Sequence, residues 1–505
     1  MSRQDIAVAE ETLDPADWDE TRVLAHRMVD DAIDHLQGLR NRPLWQEMPA
    51  SVRANFVSPV PQESQPLGDV YSEITVNVMP HPMGNHHPRF WMWYMGAGNF
   101  TGALGDFLAA IDGSNLGVGN TAATLVDRQV TEWIREMMGF PAGASGTLVN
   151  GGSMANIIGL MAARNAMAGV DLRQDGVASM PEPLRFYASD QVHNCHEKAM
   201  NLLGLGKGAL CKVPSNDAFQ MDIVKLRAMI HANRANGMRP ACVIATAGTT
   251  NTGSLDDLSA IADLCRAEGI WMHVDGCVGA PIAIAPENRH LVAGLERADS
   301  VALDLHKGFH APFDVGCALL RDRRQHRTTF AEDAEYLQKM SRGIAAAEFL
   351  HDYNLDTSRG FRALKIWMML KEHGVGKFGR LIDQGIAQAQ YLRGLIASTP
   401  ALELIAPTVT AIVCFRFNPG GREEAALRAL NIEIMLQMQE AGIAAVSDTT
   451  VKGRHCLRVA ICNHRTRRSD LDLLVHQILK IGGDLLAIDG VARERTRTSS
   501  NLGPR

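Results

Sequence analysis

Two apolar runs in the middle of the chain end in charge. Val301-Ala302-Leu303 leads into Asp304-Leu305-His306-Lys307, and Ile270-Trp271-Met272 leads into His273-Val274-Asp275. Each puts a reactive group where a buried strand would open into a loop. A lysine amine there can condense with a carbonyl, and a carboxylate there can keep a ring nitrogen protonated. A lone lysine is most often a solvated surface charge. At the end of a buried segment an unpaired charge is costly, so each of these calls for a partner.

Pyridoxal phosphate (PLP) needs both halves of that pair. It is held as a Schiff base on a lysine amine and draws electrons while its ring nitrogen stays protonated. Lys307 and Asp275 are the candidates for those roles. Asn150-Gly151-Gly152-Ser153 directly precedes a helical run from Met154. Paired glycines let backbone N–H groups approach a phosphate, Ser153 adds a hydroxyl, and the helix start favours an anion. A tight turn capped by Ser153 would read alike; its place among the charged strand ends favours the phosphate. Ser189-Asp190-Gln191-Val192-His193 offers an imidazole that can lie on the ring or move a proton. A satisfied core histidine is the ordinary alternative, and nearby His196 is read as one. The loop from Thr246 to Gly253 has small hydroxyl residues suited to a flat ligand, as would any capped turn.

The elements that position these groups follow from periodicity. From about Pro88 to Phe378, short apolar runs alternate with helical periods, the mark of a parallel sheet with crossover helices. Strands are expected at 147–149, 185–188, 241–246, 270–274, 300–303 and 315–320, with helices such as 154–166, 223–235 and 255–267. Ligands in such sheets sit outside the carboxyl ends of the strands. After Gly379 the pattern becomes a smaller α+β domain. Apolar residues recur at helical spacing from Glu20 to Leu39, and a Pro-rich loop follows. The expected division is an N-terminal helical segment over 1–87 that packs on the body or on a second subunit, a large domain over 88–378, a small domain over 379–490, and a disordered basic tail over 491–505.

With 505 residues, 46% of them hydrophobic, the chain can bury a large core. A net charge of −6, not concentrated in one block apart from the basic tail around Arg493 to Arg497, makes neither nucleic acid nor an anionic membrane an obvious partner. Nine cysteines without a Cys-x-x-Cys pair argue against a disulfide framework or a structural zinc. The stretch from Met1 to Glu20 is acidic rather than charged-then-apolar, so a leader is not expected, and no apolar run approaches the roughly 20 residues that span a bilayer. A cytoplasmic protein without a metal is the expectation.

Lys307 in Asp-Leu-His-Lys, Asp275 in His-Val-Asp, Gly152-Ser153 before a helix, His193 in Ser-Asp-Gln-Val-His and Thr250 in Gly-Thr-Thr share the order and spacing of the group II PLP-dependent decarboxylases. Arg359-Gly-Phe-Arg-Ala-Leu-Lys365-Ile-Trp also matches, so the resemblance runs from about Met28 to Met368. It is most like the bacterial aromatic-amino-acid branch. The resemblance implies fold type I, an α/β fold with a mainly parallel seven-stranded sheet, in a homodimer with active sites at the interface. It implies that an L-amino acid displaces Lys307 and loses CO2 through a quinonoid intermediate to give an amine. Asp275 would pair with the ring nitrogen, and His193 would stack on the ring. Gly152, Ser153, Thr250, Ser300, Asp304 and His306 would contact the cofactor. Tyr353, with Tyr336 as second candidate, would protonate the carbanion.

The stretch 85–98 aligns with the family's side-chain pocket, with Asn85, His86, Trp93, Tyr94 and Gly96 as candidates; an aromatic cluster there suits an aromatic or bulky apolar substrate by stacking, and core packing accounts equally for at least half of the rings. Gly308 stands where relatives often carry a tryptophan. Asn85 replaces another, and Ser114-Asn115-Leu116-Gly117 is small and polar, which implies a roomier or more polar pocket and leaves aromatic and polar substrates both open. Two alternatives stand beside decarboxylation to the amine. One is other PLP chemistry, chiefly oxidative decarboxylation-deamination to an aldehyde. The other is an inactive homologue that serves as a binding subunit, against which the retention of Lys307, Asp275 and His193 argues.

Overall fold

The computed structural model describes residues 11–332 and 338–500, with side chains to residue 488. The chain divides into two compact units, one of Met1–Gly84 with Glu440–Gly442, the other of Asn85–Gln439 with Ile443–Arg505. The first unit contains the amphipathic helix, Trp18–Gly38, whose N-cap Asp17 accepts from the N–H groups of Asp19 and Glu20. None of that helix's residues is buried.

Seven strands form the main sheet of the second unit: β1 (Ser145–Val149), β2 (Leu184–Ser189), β3 (Leu210–Val213), β4 (Arg239–Thr246), β5 (Trp271–Asp275), β6 (Ser300–Asp304) and β7 (Gly316–Leu320), in the spatial order β1-β7-β6-β5-β4-β2-β3. β7 runs antiparallel between β1 and β6, and the other pairings are parallel. β5 and β6 are buried throughout, because helices cover both faces, and so they read as apolar runs rather than as an alternation. The alternation is there in three dimensions. Phe186, Ala188, Ile244 and Ala302 pack on one face, and Tyr187, Val243, Val274 and Leu303 on the other. By the same period of two, Asp275 and Asp304 project from the face that bears helix Gly152–Met167. β3 was not foreseen; only Leu210 and Val213 of its four residues are buried while Lys212 is exposed, so it presents no apolar run.

A second sheet of five strands has the order Phe90–Trp91, β10 (Ala445–Val451), β11 (Arg454–Ala460), β9 (Ile412–Phe417) and β8 (Leu402–Leu404). Helix Ala363–Ala397 crosses the domain junction expected at 378/379 and breaks its helical backbone at Gly374 instead. The closing helix runs from Arg468 to Ser500, so residues 491–500, expected to be disordered, are helical here. No helix among the described residues is long and apolar enough to cross a membrane.

Candidate active site

At the carboxyl ends of β4, β5 and β6 a cavity of about 330 Å³ opens, lined by Asn150 to Met154, Asn156, His193, Cys195, Thr246, Gly248, Thr250, Asp275, Cys277, Val278, Asp304, His306 and Lys307. Lys307 Nζ lies 2.7 Å from Asp304 Oδ2, and Asp304 Oδ1 lies 3.6 Å from His306 Nε2. Burial opposes a charge on the amine, yet Asp304, Cys277 and Asp275 outweigh it and raise the Lys307 pKa above the ordinary lysine value. His306 is oriented by the Val315 N–H, 3.3 Å from Nδ1, and its ring stacks on Phe313 at 4.3 Å between centroids.

Asp275 is buried with both oxygens engaged. Oδ2 lies 2.9 Å from His196 Nε2, and Oδ1 accepts the Cys277 N–H at 3.2 Å. Burial alone would raise its pKa, but His196, Cys277 and Lys307 hold it well below the usual carboxylate range. His196, read from sequence as an ordinary core histidine, is instead the closest side-chain partner of this carboxylate.

Across the cavity, helix Gly152–Met167 points its N-terminus at the same space. A Cβ on Gly152 would stand 2.3 Å from Cys277 Sγ and 2.7 Å from Asp304 Oδ2, so only glycine fits. Gly248, at φ +90°, likewise brings its loop against Val278 and turns the chain toward Thr250. His193 stands exposed at the rim, its Nδ1 accepting the Cys195 N–H at 3.2 Å. Two buried oxygens lining the cavity, Thr246 Oγ1 and Asp304 Oδ1, have no hydrogen-bond partner. A ligand with an anionic group at one end, a basic ring nitrogen at the other and a carbonyl toward Lys307 suits this donor and acceptor set, and PLP is such a ligand.

The cavity brings together most of the predicted residues, but not all. Ser300 opens β6, four residues and about 13 Å of strand below Asp304. Its Oγ takes the Trp271 indole N–H and pairs with His273 Nδ1, each at 2.8 Å, so it is a buried structural hydroxyl and does not line the site. Tyr353 likewise lies away from the cavity. Its hydroxyl donates to Glu348 and accepts from Arg323 at 3.2 Å, in a separate cavity that includes Ser145, at the opposite end of β1 from Asn150. Burial and Glu348 push its pKa up to about 12. Tyr336 lies outside the described residues.

None of the five predicted pocket residues lines the main cavity. Asn85 donates to the Gly96 carbonyl at 3.1 Å, and His86 is exposed beside Gly98. Trp93 is 55% exposed, while Tyr94 is buried against an adjoining small cavity that Gly308, Val278 and Cys462 also line. Gly96 packs so closely on the His306 carbonyl that a Cβ there would sit 2.0 Å from it. Arg458, not singled out from the sequence, is not among the residues that line the main cavity. It is 3% exposed, donates from Nε to the Asn251 carbonyl at 3.1 Å beside Thr250 and from Nη1 to Ser447 Oγ at 3.3 Å, and has no acidic ion-pair partner among the described residues. A buried Arg without an acid at the end of a β-run carries no local sequence signal.

The model of the pyridoxal-dependent decarboxylase conserved domain matches residues 49–418. The chain belongs to the pyridoxal-dependent decarboxylase family. The aromatic-L-amino-acid decarboxylase of Bacillus atrophaeus is 30% identical over 90% of this chain and 93% of its own length. A tryptophan decarboxylase of Camptotheca acuminata is 27% identical over 94% and 95%. The crystal structure of Oryza sativa TDC with PLP and tryptamine superposes with a TM-score of 0.86 at 26% identity, covering 94% of this chain and 100% of that one. As a family member the decarboxylase uses PLP, and its sheet has the expected fold type I arrangement.

Proposed function

We propose that this decarboxylase converts an L-amino acid with an aromatic or bulky side chain to its amine and CO2 in the cavity around Lys307. The observation that carries the reading is the convergence of an amine, two carboxylates and a helix N-terminus on one space of about 330 Å³. The aromatic substrates named for the bacterial and plant relatives support the substrate class.

When bound, the cofactor supplies the electron sink for the bond to the departing carboxylate. Lys307 would hold it, Asp275 would keep its ring nitrogen protonated, and His193 would pack against the ring. Gly152 and Ser153 would offer backbone N–H groups and a hydroxyl to its phosphate, and Thr250 would contact the ring. Asp304, 2.7 Å from Nζ, would hold the Lys307 side chain aimed into the cavity. Arg458 is the cation that suits the substrate carboxylate, because burial without an acid partner is costly unless a ligand supplies one. With Tyr353 engaged elsewhere, Tyr336 is the tyrosine proposed to return a proton to the substrate carbon.

The working unit in this reading is a homodimer. Helix Phe100–Asp112 leaves Phe107 60%, Leu108 47% and Ile111 73% exposed, an apolar face that a second copy would cover. Nine free cysteines suit a reducing, cytoplasmic location.

The test is mass spectrometry of products after incubating the PLP-loaded protein under air with the common L-amino acids, DOPA and 5-hydroxytryptophan. An aromatic amine is the expected product. An aldehyde with ammonia and peroxide would overturn the amine reading, and turnover of small polar amino acids alone would overturn the substrate class.

A further inference from the structure

His196 is a buried charged group in contact with the site that the reading above does not use. Its side chain is 0% exposed in the first turn of helix Cys195–Leu202, and Nε2 sits 2.9 Å from Asp275 Oδ2. Cys195, His196 and Asp275 present ligand-type atoms all within 4.8 Å of one another. A second buried imidazole, His273, lies edge-on at 6.4 Å, with its two ring nitrogens tied to Ser300 and Asn156 at 2.8 Å each. The other ionisable groups that act on Asp275 are Lys307, Cys195, Cys277 and His193.

The two imidazoles differ in charge. Burial, followed by the neighbouring His196, depresses His273 to about 3, so it is neutral. Burial would also discharge His196, but the Asp275 hydrogen bond and Cys195 override it and raise His196 to about 10. The consequence falls on Asp275. Left alone in this buried position, a carboxylate favours its protonated form. A protonated carboxyl would donate to a ring nitrogen and leave it uncharged, which removes the electron sink. A carboxylate with an imidazolium behind it accepts from a ring N–H instead.

We propose that His196 is a positioning residue for the cofactor's ring nitrogen: its hydrogen bond to Asp275 Oδ2 holds that carboxylate aimed into the cavity as a preformed anion. The inference rests on the reading that Asp275 meets the ring nitrogen. Asp275 has lone pairs beyond the two already engaged, so the ring N–H can be accepted without breaking the His196 contact.

The experiment compares His196→Leu, His196→Asn and Asp275→Asn with the unaltered protein. PLP affinity of the apoproteins and the visible absorption of the reconstituted proteins are each measured from pH 5.5 to 9. His196→Leu should weaken PLP binding about tenfold or more, the loss typical when a group that orients a direct contact is removed. It should also make binding fall off toward acid pH, as Asp275 takes up a proton, and shift the absorption profile in the direction given by Asp275→Asn. His196→Asn, which keeps a donor, should recover part of both effects, and it decides the matter if the leucine variant does not fold. Lower thermal stability with unchanged PLP affinity and spectra would show a merely structural histidine and overturn the inference. If Asp275→Asn alone alters binding and spectra, the inference fails while the Asp275 reading stands; if neither residue matters, the Asp275 reading itself fails.

Discussion

Lys307 Nζ and Asp304 Oδ2 stand 2.7 Å apart across one turn of chain at the end of β6, so strand and nucleophile carry their own counter-charge. The strand ends in the carboxylate, and three residues later the amine folds back onto it.

Removing that carboxylate leaves a buried ammonium unpaired. Asp304→Asn should cost the apoprotein about 3 kcal/mol, at the low end for a broken buried pair because the Lys307 side chain keeps 23% exposure. The raised lysine pKa stabilises the fold fully below the unfolded value of about 10.4 and fades only above it, so the loss should be the same at pH 7 and pH 9. Urea unfolding of the two apoproteins checks this, and equal stabilities would contradict it.

Gly152→Ala places a methyl group against Cys277 and Asp304 at distances real Cβ atoms do not adopt. The helix start must shift, at a cost of about 1–3 kcal/mol. PLP affinity should fall with it, because the N–H groups move with the helix start. Fluorescence titration of the apoprotein with PLP reads the change; a variant that binds normally would remove this loop from the phosphate site.

Tyr353→Phe should lose about 1 kcal/mol of stability with its Glu348 and Arg323 hydrogen bonds and keep its kcat. Tyr336→Phe should abolish amine formation or divert it to aldehyde. The opposite pattern in product analysis would restore Tyr353 to the reaction.

Arg458→Gln should raise KM about thirtyfold, the equivalent of roughly 2 kcal/mol for a charge-assisted hydrogen bond, with a smaller change in kcat. Steady-state kinetics on the preferred amino acid decides; an unchanged KM would make Arg458 a purely structural cation.

The large sheet was legible because buried parallel strands are apolar runs, and the chemistry was legible because polar residues interrupt those runs at one end. Asp275, Asp304 and Lys307 are read this way, and so is the glycine pair before Met154. Ser300 misled because it too is polar in an apolar run, but at the amino end, where it serves Trp271 and His273. His196 and Arg458 were invisible as partners, since their significance lies in contacts with Asp275 and Asn251 that are distant in sequence. Tyr353 was placed by proximity along the chain, while its side chain answers to Glu348 and Arg323.

The most direct test of the central claim is borohydride reduction of the PLP-loaded protein followed by peptide mass spectrometry. A pyridoxyl group fixed on Lys307, with its visible absorption and amine production both lost in Lys307→Ala, is the predicted result. A label on another lysine, or a Lys307→Ala protein that still makes amine, would contradict the account.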